Sequence, residues 1–104
     1  MHLTAYITAP SAREAEKISL ILLKKRLIAC ANITKIKSLY WWEGRVAKSS
    51  EFLILAKTKT GMEKKIIALV KKNHSYKIPC VNFLPIKMGD PDYLRWVDGE
   101  IRNI

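Results

Sequence analysis

Residues 2–9 alternate strictly, with Leu3, Ala5, Ile7 and Ala9 on one face and His2, Thr4, Tyr6 and Thr8 on the other. A period of two is the signature of a strand, and Pro10 ends it. Ser11-Ala12-Arg13-Glu14 then reads as a capping box, in which the serine accepts from a free backbone amide and the glutamate reaches back. The helix it opens is expected to run to about Arg26. Its apolar face carries Ala12, Ala15, Ile18, Ile21, Leu22 and Leu23, opposite Arg13, Lys17 and Lys24. Leu20 falls on the polar side, a first hint of a partner. A long strand-like run over 28–42 follows, then the turn Glu43-Gly44-Arg45, where glycine suits the positive φ of a tight hairpin. The returning arm, about 46–59, sets Phe52, Ile54 and Ala56 against Leu53, Leu55 and Lys57. Gly61 opens a second helix with Met62, Ile66, Leu69 and Val70 on one side and Lys64, Lys65, Lys71 and Lys72 on the other. Pro79 starts a last strand to about Ile86, and Gly89-Asp90-Pro91 leads into a short amphipathic helix with Tyr93, Leu94, Trp96 and Val97.

The order β-α-β-β-α-β predicts an α+β, ferredoxin-like sandwich with a short C-terminal helix, formed by residues 1–104 as a single domain. Right-handed crossovers give the strand order 4-1-3-2, with strands 2 and 4 at the edges. Edge strands need cover. Tyr40, Trp41 and Trp42 lie in succession on one of them, and neighbouring side chains on a strand point to opposite faces. Trp41 and Trp42 therefore cannot enter the same small core, which predicts an oligomer whose interface takes up the exposed aromatics. Cys30 and Cys80 fall on opposite edges, about three strand spacings or ~14 Å apart. A disulfide needs Cα atoms within ~7 Å, so none is expected within a chain.

Composition narrows the picture further. The chain has 104 residues, 49% hydrophobic and 27% charged, with a net charge of +10. That excludes disorder. No apolar run approaches the roughly 20 residues of a membrane span, and Met1-His2-Leu3 begins directly in alternating sequence with no secretory address. The positive charge is spread through every third of the chain, which suits weak polyanion binding but not specific nucleic-acid recognition. Residues 52–58, on a central strand, lack an aromatic-glycine RNA-binding pattern. Two cysteines outside any CxxC arrangement read as reduced thiols in a cytoplasmic protein. No Ser-His-Asp set, phosphate-cradling glycine loop or H-E-x-x-H occurs, so the chain is not read as an enzyme.

Several segments together resemble the CutA family of divalent-cation tolerance proteins: Thr8-Ala9-Pro10, Ala29-Cys30-Ala31-Asn32-Ile33, Ser38-Leu39-Tyr40-Trp41-Trp42-Glu43-Gly44, Lys57-Thr58, His74-x-Tyr76-x-x-Pro79 and Gly89-Asp90-Pro91-Asp92-Tyr93-Leu94-Arg95-Trp96. The resemblance spans the whole chain in order. It implies a homotrimer reminiscent of the PII signalling proteins, with long hairpins pairing across subunits, and a cytosolic protein linked to copper tolerance. It implies no obligatory cofactor and no enzymatic activity, and copper or another divalent cation as the ligand. The chain departs from the family pattern where some relatives carry a cysteine before the Thr-Ala-Pro segment and a His-His pair before the loop. Those positions are Ile7, Asn73 and His74 here, and two loop carboxylates are replaced by Lys77 and Cys80.

Each candidate residue has two readings. Cys30 reads as a soft copper ligand or as a small buried strand residue. Cys80 stands where relatives carry an acid. Convergence of Cys30, His74 and Cys80 between chains would make a site favouring Cu(I) or Zn(II). His74 reads equally as a ligand and as a residue closing the second helix. Tyr40, Trp41, Trp42, Glu43 and Trp96 are assigned to the interface, base stacking being the alternative for the aromatics. A free Met1 amine with His2 would itself chelate copper. The function expected is divalent-cation tolerance by a homotrimer. The alternative is a PII-like module that binds a small anionic ligand in clefts between subunits.

Overall fold

The computed structural model describes residues 1–102; residues 103 and 104 of the expected domain lie outside the described residues. The chain forms β1 (His2–Ala9), α1 (Ala12–Lys24), β2 (Cys30–Trp42), β3 (Arg45–Lys59), α2 (Glu63–Asn73), β4 (Val81–Pro85) and α3 (Pro91–Glu100). All pairings in the four-stranded sheet are antiparallel and its order is β2-β3-β1-β4, the expected order read from the other edge. This is the α+β split-βαβ sandwich.

The sheet's two faces follow from its register. Leu3, Ala5, Ile7, Ile54 and Ala56 alternate onto one face and are buried with Ala15, Ile18 and Leu22 of α1 and Ile66 and Val70 of α2. Thr58 shares that face and is fully buried, its hydroxyl donating to the Leu27 carbonyl at 2.7 Å. The hydrogen bond offsets the burial of a polar group. Tyr6 and Thr8 stand on the opposite face with their partners Leu55 and Leu53.

Helix α1 begins at the expected Ser11 cap, whose hydroxyl accepts from the Glu14 amide at 3.1 Å. The Glu14 carboxylate, however, accepts from Ser75 rather than reaching back to complete the capping box. It ends at Lys24, two residues before the expected Arg26. Arg26 has a φ of +58°. The Leu27 amide donates to Leu22 O at 3.1 Å and the Arg26 amide to Leu23 O at 3.0 Å, which together make a Schellman cap. An arginine fills the position that glycine usually takes. Its guanidinium is held by the Glu100 carboxylate at 2.9 Å. The β2–β3 turn has positive φ at both Glu43 (+50°) and Gly44 (+79°), between the paired Trp42 and Arg45. That is the two-residue turn whose twist matches a hairpin. The last strand is shorter than expected, running from Val81 to Pro85 rather than from Pro79 to about Ile86.

Helix α3 is capped by Asp90, whose carboxylate accepts from the Tyr93 amide at 3.0 Å, and it starts with Pro91. Val97 and the following Ile101 are its buried anchors, whereas Tyr93 and Trp96 remain partly exposed and stack with centroids 5.6 Å apart. Tyr93 reaches Cys30 and Asp98 reaches His2. By register, both partners lie on the face that α1 and α2 leave open. The helix therefore covers one end of that face.

Candidate functional site

The uncovered end of the open face ends in a cleft. The segment between α2 and β4 folds over it, held by a network centred on His74. This imidazole is fully buried. Nε2 lies 2.7 Å from the Thr8 carbonyl, and Nδ1 accepts from the Tyr76 amide at 3.0 Å. A carbonyl can only accept, so Nε2 carries the proton and Nδ1 offers its lone pair: the neutral tautomer assigned by the network. Beside it, Glu14 Oε2 lies 3.3 Å from Nδ1 and accepts from the Ser75 amide at 3.0 Å and hydroxyl at 3.1 Å. The same glutamate that completes the capping-box sequence thus ties α1 to the loop.

Tyr76 continues the network. Its phenol donates to Glu51 Oε2 at 2.9 Å. Burial first, then the hydrogen bond to the Glu51 carboxylate, pushes the phenol up to about 12. Glu51 is itself only 5% exposed. Among the described residues no cationic side chain lies within ion-pair distance of it, and Tyr76 is its hydrogen-bond partner. The cleft beside this pair measures about 440 Å³ and is lined by Tyr6, Thr8, Ile36, Tyr40, Glu51, Tyr76 and Cys80, with Lys37, Ser38, Leu39 and Ile78 completing its wall. An adjoining hollow of about 310 Å³ is bounded by Tyr40, Trp42, Ser75, Tyr76, Lys77 and Ile78.

Of the three residues considered as metal ligands, Cys30 lies on the β2 edge, apart from His74 and Cys80, which both adjoin Thr8. Cys30 opens β2 opposite Lys57, and its sulfur meets the Tyr93 hydroxyl at 3.2 Å. That contact, followed by burial, raises the Tyr93 phenol to about 12. Cys80 precedes β4 on the opposite edge, lines the cleft and accepts from the Asn82 amide at 3.5 Å. Burial pushes its thiol up, against the opposing hydrogen bonds from Thr8 and Asn82, which favours an inert thiol over a reactive thiolate. His74 adjoins the cleft through Tyr76, but both of its nitrogens are engaged. Among the described residues, no three His, Cys, Asp or Glu side chains cluster in the manner of a metal site.

Four of the residues assigned to the interface, Tyr40, Trp41, Trp42 and Glu43, are exposed together on the hairpin, whereas Trp96 is 45% exposed on α3, at the Cys30 end of the sheet. Trp41 is 76% exposed on the hairpin arm, flanked by Leu39 and Val46 on its own face. Tyr40 and Trp42 stand on the other face and continue the cleft wall. Glu43 sits in the turn. The Glu51–Tyr76 pair escaped the sequence reading: a lone glutamate in a strand gives no periodic signal. The one cue was its parity with Leu53 and Leu55, which sets a charged side chain in a half-apolar row.

These features define a small split-βαβ subunit with one sheet face sealed by helices and the other left as a half-apolar, aromatic-rimmed surface. The family model described as CutA1 divalent ion tolerance protein matches residues 3–100. The divalent-cation tolerance protein CutA of Archaeoglobus fulgidus is 45% identical over 101 residues, covering 97% of this chain and 99% of that protein. The chloroplastic CutA 1 protein of Oryza sativa is 36% identical, with 97% of this chain matching 58% of its length. The Archaeoglobus structure, described as that of a periplasmic divalent cation tolerance protein, superposes with a TM-score of 0.96 at 43% identity, covering 98% of this chain and all of that one. The chain belongs to the CutA family of divalent-cation tolerance proteins.

Proposed function

We propose that this chain acts without catalysis, as a homotrimer in the cytoplasm, in the response to divalent metal ions, with copper as the ion handled. The full-length family match carries the reading. The trimer is supported by the chain's own surface. Two open sheet edges and exposed Trp41, Trp42, Val46 and Leu84 are what a ring of subunits would cover. A compartment that keeps thiols reduced suits two cysteines on opposite edges of the sheet.

Among the described residues, the donors of one subunit do not gather into a metal site. A soft site would instead draw Cys30 from the β2 edge of one copy and Cys80 from beside the β4 edge of the next, since a head-to-tail ring sets unlike edges side by side. His74 would join only by releasing the Tyr76 amide.

Sedimentation would test the assembly, with a mass three times 11.9 kDa expected. Titration with Cu(I) under reducing conditions, in a His2→Ala background, would test the metal. Saturable binding lost in both Cys30→Ser and Cys80→Ser supports the shared site. Binding unchanged in those variants, or none, removes it. A second reading, a PII-like module that binds a small anionic ligand in clefts between subunits, is favoured by the net charge of +10. Saturable binding of an organic anion without metal would support it.

A further inference from the structure

The cleft's chemistry differs from what a net charge of +10 suggests. A buried carboxylate is expensive unless it is paired with a cation or richly hydrogen-bonded. Glu51 is 95% buried by side-chain and backbone surface taken together, yet its hydrogen-bond partner is a single neutral phenol. It faces a cavity rather than packed core. Three tyrosines, Tyr6, Tyr40 and Tyr76, contribute to the same wall. Aromatic faces and a carboxylate are the two features that attract an organic cation: the ring quadrupole offers negative potential, and the carboxylate offers charge and hydrogen-bond acceptors. A volume of about 440 Å³ lies within the usual small-molecule range of roughly 300–1,000 Å³.

We infer that the Glu51 cleft binds an alkylammonium ion, its charged head against the Glu51 carboxylate and its apolar body against Tyr6, Tyr40 and Ile36.

A metal ion is the weaker fit, since the cleft supplies one carboxylate where a hard cation wants six or more oxygens. An anion would meet Glu51 directly. Lys37 on the wall opposes a cation, but its strand neighbours Ile36 and Ser38 hold the parity that faces the cleft, and its own side chain belongs to the alternate row. Lys77 borders the neighbouring hollow, not this one. The remaining lysines act at longer range and are screened beyond about 8 Å at physiological salt. Tyr76 keeps its proton at neutral pH, so it stays a donor to Glu51 and an uncharged ring towards the ligand.

The test is a titration of the assembled protein with cyclohexylammonium and, separately, with cyclohexanol, followed by calorimetry. The two have similar shapes and differ in charge, an alkylammonium being protonated at pH 7 like a lysine amine of pKa about 10.4. Binding of the cation at least tenfold tighter than the alcohol is expected, with the preference erased in Glu51→Gln and affinity for both reduced in Tyr40→Leu. Equal binding of the two, a preference that survives Glu51→Gln, or no binding to the wild-type protein overturns the proposal. The last result would show that the assembly itself fills the cleft, for example with a cationic side chain of a second copy. Should Glu51→Gln fail to fold, Tyr40→Leu and the cation-to-alcohol ratio on wild-type protein still decide it.

Discussion

The two faces of one sheet are built from the same strands and differ by a single residue step. On the helical face, Ala5, Ile7, Ile54 and Ala56 are wholly buried, and the buried hydroxyls of that layer, Thr58 and Ser19, are hydrogen-bonded. On the open face, Leu53, Leu55 and Tyr6 are half-buried, Leu84 is 50% exposed, and Glu51 is buried without a cation. Over the body of the sheet, short of the hairpin tip, the helical face is complete in a single chain. The other is half-apolar and lacks half its walls, so its stability and chemistry depend on what comes to lie against it.

The sharpest way to break this contrast is a pair of truncations. Ile54→Ala empties a sealed position and is expected to lower stability by about 2–4 kcal/mol, the cost of deleting methylenes where neighbours cannot collapse. Leu84→Ala should cost under about 1 kcal/mol in the isolated subunit, because half of its surface is already in water. Chemical denaturation at several protein concentrations checks both. If the Leu84→Ala loss grows with protein concentration, an assembly covers the open face. If the two variants cost the same at every concentration, the faces are not different in kind.

The loop over the cleft gives the next effect. His74→Ala leaves the Thr8 carbonyl and the Tyr76 amide without partners and opens a void at a fully buried position. A loss of about 2–3 kcal/mol is expected from unsatisfied buried groups at roughly 1–3 kcal/mol each, partly relieved by water. Amide hydrogen exchange would show faster exchange over residues 74–80 in that variant, and an unchanged rate there would count against the histidine as the loop's anchor.

Alkaline titration reaches both ends of the open face at once. Tyr76 and Tyr93 each have phenols raised to about 12 from an ordinary 10, the first mainly by burial and the second mainly by its contact with Cys30. A group whose folded pKa is raised holds its proton longer in the native state. Its stabilisation is complete below the unfolded value and lost as pH climbs to the folded one. Stability should therefore fall between about pH 10 and about 12, and ultraviolet titration should show the phenolates of Tyr76 and Tyr93 forming late. Tyr93→Phe should remove one late phenolate and leave the other. Absence of any late phenolate would contradict the contacts.

How much of this was written in the chain depends on which interaction fixed it. Strand and helix identities were legible because the alternation over 2–9 and the i, i+3, i+4 spacing of Ala15, Ile18 and Leu22 report local geometry. The hairpin turn over Glu43 and Gly44 was legible through the glycine, while the positive φ of Glu43 was not, since a charged residue in the left-handed region has no sequence mark. The end of α1 was misplaced for the same reason: Arg26 adopts a conformation usually left to glycine and is secured from Glu100, 74 positions away. The Glu51–Tyr76 bond and the His74 knot join residues 25 and 66 apart, contacts that only the folded topology creates.

The smallest expected effect separates the two tryptophans that the alternation sets back to back. Trp41 is 76% exposed and Trp42 46%, with Trp42 on the face that walls the hollow beside Tyr40 and Tyr76. Within one subunit, Trp41→Ala removes little packing and should stay within about 0.5 kcal/mol of the parent. Trp42→Ala should cost somewhat more, about 1 kcal/mol, because it also strips a wall from that hollow. Assembly reverses the scale of the question. Sedimentation over a dilution series would show which ring a neighbouring copy uses: the variant that dissociates at higher concentration has lost an interface anchor. If Trp41→Ala dissociates the protein while Trp42→Ala does not, the contact lies on the outer face of the hairpin. In that case the Tyr40–Trp42 face and its cleft stay open in the assembled molecule, which is the condition an entering ligand needs.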